Sequence, residues 1–171
     1  VFYDQQIVES PWKFTQSDNG YSAEEVSLYT SVFLELWALE SFPQNKEKCV
    51  SAFNKIELNW QAEIFTYANP SDGTTRLLGL TYMDLKPGKI LVFVATRPYG
   101  TPIAIDQSAY GHELIHIALF AITGNAQASH FQEKGSHNWP QDYEKFLIKV
   151  SKEYRKKINE NKRADRAITK S

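Results

Sequence analysis

The stretch YGHELIHIALFAITG, Tyr110 to Gly124, decides the reading of this chain. Its apolar residues predict a helix buried beneath a sheet, running to about Thr123. Asp106 or Ser108 is placed to cap its start, and Gly124 to stop it. Inside the apolar run stand His112, Glu113 and His116. Residues four apart on a helix differ by only about 40° in direction. His112 and His116 therefore share one face, one turn apart. That spacing lets two imidazoles bind one zinc ion at roughly 2.0–2.1 Å each. Glu113 points about 100° away from His112. It is near such an ion but badly placed to ligate it, and well placed to take a proton from water. The H-E-x-x-H pattern suits addition of water to a polarised carbonyl. The composition of this chain yields about 0.007 chance matches, so the pattern carries information beyond its residue types.

An open catalytic zinc site has three protein ligands, and the stretch supplies two. The lone cysteine, Cys49, lies far upstream in a different element. Downstream donors are His130, Glu133, His137, Asp142 and Glu144. His137 is the expected third ligand, because Gly135 and Ser136 let the backbone turn and the helix after "NWP" gives rigid support. His130 or one of the acidic residues is the alternative. An oxyanion donor is also required. Tyr143, Tyr110 and Arg97 are candidates, with Tyr143 preferred for its place just past His137.

Working outward, Ser22-Ala23-Glu24-Glu25 reads as a capping box opening a helix from about Ala23 to Glu40, with Pro43 beyond it. Residues 45–54 suit a short second helix. The period then changes. Ile56, Leu58, Trp60, Ala62 and Ile64 alternate with polar residues, which predicts one strand. "NPSDG" (Asn69 to Gly73) is a turn. "RLLGLTYM" and "KILVFVAT" predict two strands joined at Pro87 and Gly88, the second buried on both faces. Pro140 sits at the expected start of a last helix carrying Tyr143, Phe146, Leu147, Val150 and Tyr154. The order helix, strands, helix, helix predicts an α+β domain over residues 1–158. Residues 159–171 are expected to fray as a basic tail.

The chain has 171 residues, 42% of them hydrophobic, enough for one core. One cysteine excludes an internal disulfide framework. No apolar run reaches the roughly 20 residues of a membrane helix. The net charge of −1 hides an asymmetry: residues 145–171 hold ten basic and three acidic residues, and residues 1–144 hold nine and seventeen. A basic end of this kind usually forms a solvated helix, and nothing here resembles a nucleic-acid module, so no nucleic-acid partner is expected. The start at Val1 rather than Met suits either export followed by cleavage or a trimmed chain; the compartment stays open, with a periplasmic or secreted location favoured over a cytoplasmic one. No stretch specifies an oligomeric state.

At HELIH, residues 112–116, the chain resembles the zincin metallopeptidases. The likeness is specific over residues 106–124, looser to about Phe146 and weak elsewhere. It implies zinc held by His112 and His116, Glu113 as general base, and a peptide or protein substrate. It also implies a small twisted sheet and helix above a cleft, the active-site helix below, and a short helical C-terminal lobe. The metzincin pattern is absent, since it wants Gly at Leu119 and His at Ile122, and Met83 precedes the motif. A thermolysin-like pattern wants Glu near Gly135 or Ser136, and Glu133 falls short of that spacing. "GSHNWPQDYEKF", residues 135–146, is similar to the SprT-like group, although the short His-Gly pairing is missing and the loop is longer. The expected function is zinc-dependent hydrolysis of peptide bonds. The alternative is a zinc-binding domain without turnover, acting as a partner-binding or inhibitory module.

Overall fold

The computed structural model describes residues 20–69, 73–86, 88–124 and 139–170. Helix α1 (Ala23–Trp37) starts where Ser22 predicts: its Oγ accepts from the Glu25 amide at 3.1 Å and donates to the Glu25 carboxylate at 2.9 Å. It ends at Trp37, three residues before the expected Glu40, because the Gln44 side chain turns back to donate to the Trp37 and Glu40 carbonyls. Asn45 caps the short helix α2 (Lys46–Phe53) by accepting from the Lys48 amide.

Strand β1 (Ile56–Gln61) follows, then β2 (Ile64–Asn69), β3 (Gly73–Leu77), β4 (Gly79–Lys86) and β5 (Lys89–Ala95). The single strand expected over residues 56–64 is two. At Gln61 and Ala62 the carbonyls accept from the Thr96 and Arg97 amides, and the chain then leaves the first sheet. "RLLGLTYM" is likewise divided at Leu78 between β3 and β4. The result is a two-stranded antiparallel β2–β3 sheet and a three-stranded mixed sheet in the order β1-β5-β4. β1 runs parallel to β5, pairing Ile56 with Ile90 through Gln61 with Ala95. β4 runs antiparallel to β5, with Gly88 at the bend at φ 77°. β4 is thus an edge strand, and among the described residues its outer edge pairs with no strand.

β5 is less buried than its apolar run predicts. Ile90, Val92 and Val94 are buried against the helices, while Leu91 and Phe93 on the other face are half-buried. Phe93 meets Tyr82 there edge to face at 5.9 Å. Among the described residues only the helix-side face of β5 is fully buried, so the strand has one core face rather than the two expected.

Helix α3 (Tyr110–Thr123) carries the opening stretch and ends at Gly124 in the left-handed region, as expected. Helix α4 (Glu144–Lys170) follows a π-helical turn over Trp139–Tyr143, so Pro140 stands inside that turn rather than at the helix start. The expected fraying after residue 158 is not seen. α4 stays helical to Lys170, with Ala, Lys and Arg supplying high helix propensity over exposed turns. No helix among the described residues is long and apolar enough to cross a membrane.

The core lies between the inner face of the sheet and α1, α3 and α4. Phe33, Trp37, Phe42, Tyr143 and Phe146 form one aromatic cluster with ring centroids 4.8–6.2 Å apart. Each such pair adds about 0.5–1.5 kcal/mol beyond area burial, which fixes the start of α4 against the end of α1. Asp106 does not cap α3. Its buried carboxylate accepts from Ser151 Oγ at 2.6 Å and pairs with Arg155, tying α4 to the turn ahead of α3. Ser108 Oγ accepts from the Tyr110 amide at 3.2 Å. These ties hold α4 against α1 and the turn ahead of α3, and Glu144 at its start comes within 3.7 Å of His112.

Candidate functional site

A cleft of about 510 Å³ opens between edge strand β4, the first half of α3 and the start of α4. His112, Glu113 and His116 line it together with Gly79, Thr81 and Glu144. Its volume lies within the range of small-ligand and substrate sites.

The two histidines converge as the helix spacing predicts. Their Nε2 atoms lie 3.2 Å apart. Two donors each 2.0–2.1 Å from one zinc at the tetrahedral angle would be about 3.3 Å apart, so the observed separation fits two ligands of one ion. A hydrogen bond between the two rings fits the same distance. Nδ1 of His112 faces the other way, 3.7 Å from Glu144 Oε1.

Glu113 lies on the sheet side of α3 and is only 5% exposed. Two features of β4 hold it. Thr81 Oγ1 donates to its Oε2 at 2.8 Å. Gly79 leaves room for it: a Cβ there would come within 2.7 Å of Glu113 Oε1 and 2.9 Å of the Ala109 Cβ. Burial raises the carboxyl from 4.5 to about 7, and the Thr81 bond pulls in the opposite direction. A carboxyl near neutrality is suited to giving and taking protons.

The remaining expected site residues fall in three places. His130, Glu133 and His137 lie outside the described residues. Tyr143, the preferred oxyanion donor, is buried against Trp37 and Phe42, and it is not among the residues lining the cleft. Burial pushes its phenol up to about 12. Tyr110 is fully buried, its hydroxyl 2.7 Å from Thr30 Oγ1, and Arg97 is exposed on the loop after β5; neither lines the cleft. Among the described residues no group of three or more His, Cys, Asp and Glu side chains converges to hold a metal.

Thr81 and Gly79 were not legible as site residues. They lie 32 and 34 positions before Glu113, in a strand whose period marks only its faces. Glu144 was legible as a donor type but not as a neighbour of His112.

Comparison of the chain with protein-family models, curated proteins and solved structures returns no match to any of the three.

Proposed function

We propose that the chain is a zinc-dependent hydrolase of peptide bonds with a zincin-like arrangement of its sheet and active-site helix. The observation that carries this is the 3.2 Å convergence of the His112 and His116 Nε2 atoms, with the buried Glu113 carboxylate in the same cleft. His112 and His116 would hold the zinc, with His137 as the expected third ligand. When bound, zinc would supply Lewis-acid polarisation of the scissile carbonyl.

The chain's own residues do the rest. Glu113 takes a proton from the attacking water and returns it to the leaving amine. Thr81 orients that carboxylate through one oxygen. The outer edge of β4 offers backbone donors and acceptors to an extended peptide or protein substrate, and the same cleft then receives the bond to be cut.

Zinc content of protein purified without added metal, and hydrolysis of an unfolded protein substrate by wild type and Glu113→Gln, test this reading. Stoichiometric zinc in both, with hydrolysis only in wild type, is the expected result. Absence of zinc, or equal hydrolysis by the two proteins, overturns it.

One observation favours a second reading, a zinc-binding module without turnover. Glu113 is nearly enclosed, with one oxygen bonded to Thr81 and the other close to Gly79. Wild-type protein that holds zinc and hydrolyses nothing across a broad substrate panel would select it.

A further inference from the structure

Glu144 stands at the first position of α4 and lines the same cleft as the histidine pair. As a carboxylate downstream of H-E-x-x-H, it suits a third metal ligand by chemistry alone. Its position argues for a different task. The Nε2 atoms of His112 and His116 face each other at 3.2 Å, so the ligand-bearing side of His112 is turned towards His116. Glu144 Oε1 lies off the opposite nitrogen, Nδ1, at 3.7 Å. On a neutral imidazole that ligates through Nε2, Nδ1 carries the proton and is a donor.

We propose that Glu144 is a positioning residue: its carboxylate accepts from His112 Nδ1–H and fixes the ring with Nε2 aimed at the metal. This rests on the zinc reading above. Closing 3.7 Å to a hydrogen bond of about 2.8–2.9 Å takes a shift of under 1 Å. The Glu144 side chain is 54% exposed, so rotation about its own bonds supplies that shift without moving α4. An acceptor behind a ligating histidine fixes its tautomer and orientation and raises its basicity.

The fold builds this neighbourhood on purpose-sized residues. Gly111, next to His112, has no room for a Cβ: one there would sit 2.2 Å from Tyr29 Oη and 2.7 Å from Leu147 Cδ2. Leu147 is one turn beyond Glu144 on α4. The missing side chain at Gly111 lets α4 lie close enough for Glu144 to face His112. The aromatic cluster around Tyr143 and Phe146 anchors α4 on either side of Glu144. The Asp106 ties to Ser151 and Arg155 hold it two to three turns on.

Zinc affinity measured by competition with a chromophoric chelator tests the assignment on wild type, Glu144→Gln, Glu144→Ala and His112→Ala. The expected result is a 10- to 100-fold weaker affinity for Glu144→Ala. Glu144→Gln, which keeps a neutral acceptor, should fall between Glu144→Ala and wild type. His112→Ala should lose more than either. Cobalt(II) substitution adds a spectroscopic readout: visible bands of unchanged position and intensity in Glu144→Ala mean that the ligand set is intact. Unchanged zinc affinity in Glu144→Ala overturns the proposal and leaves the zinc site standing. A changed cobalt spectrum, with a loss matching His112→Ala, makes Glu144 a ligand and also overturns it. A wild-type protein that binds neither metal overturns the zinc reading itself, and the proposal with it.

Discussion

Replacing Glu113 with Gln removes one buried ionisable group and little volume, which isolates the effect of its charge on the fold. In metal-free protein the folded carboxyl is raised by burial to about 7 from an ordinary value of 4.5. Below about pH 4.5 the group is protonated in folded and unfolded chains alike and has no effect on stability. Between 4.5 and 7 the unfolded chain releases the proton while the folded one keeps it. The folded state then binds more protons, so stability falls as pH rises. Above about 7 both forms are ionised and the full penalty is present. At about 1.4 kcal/mol per pH unit across that interval, the loss is about 3 kcal/mol. At 5% exposure, solvent screening takes little from that figure. Gln keeps an acceptor for Thr81 but adds a buried amide donor, whose cost is the same at every pH. The slope, not the absolute stability, is therefore the readout. Urea unfolding at pH 5, 6, 7 and 8, with a chelator present throughout, should show wild type losing stability relative to Glu113→Gln as pH rises. Parallel curves for the two proteins across this window would refute the claim that burial holds the Glu113 carboxyl near neutrality.

Gly79→Ala places a methyl against Glu113 and Ala109, and should lower stability by about 1–3 kcal/mol in urea unfolding; an unchanged midpoint would show that the carboxylate does not need this space. Zinc at 100 times its dissociation constant should stabilise wild type by about 2.7 kcal/mol, a rise of roughly 5–10 °C in Tm, and His116→Ala should abolish that rise. Retention of the full zinc effect in His116→Ala would remove the histidine pair from the metal site. Truncation after Glu160 removes turns that are exposed throughout their described length, and should change unfolding free energy by no more than about 0.5 kcal/mol. A larger loss by chemical denaturation would mean that those turns support the core.

Much of the helical framework was legible because its determinants lie within four residues of one another. Ser22 and Glu25 set the start of α1 through a contact three residues long. Gly124 ends α3 through its own backbone freedom. The histidine spacing alone puts His112 and His116 on one face, since any regular helix would do so; the 3.2 Å approach of their Nε2 atoms depends on ring orientation as well. The alternation over residues 56–64 was legible too, but not its division at Ala62. That break depends on hydrogen bonds to Thr96 and Arg97, more than 30 residues away.

The expected end of α4 failed for a related reason. A polar sequence resembles a tail when burial is the criterion, yet a well-anchored helix propagates through residues of good propensity at little cost. Tyr143 shows the converse. Its chemistry suits an oxyanion donor, but its ring fills the aromatic cluster beside Trp37 and Phe42.

Local spacing along the chain is thus enough to imply an α+β order of elements and a helix with two imidazoles on one face and a carboxylate beside them. Tertiary structure alone decided what surrounds them: Thr81 and Gly79 on an edge strand against Glu113, and Glu144 behind His112. Those neighbours come from strand pairing and helix docking, which join residues some 30 positions apart by packing. No local period records such contacts.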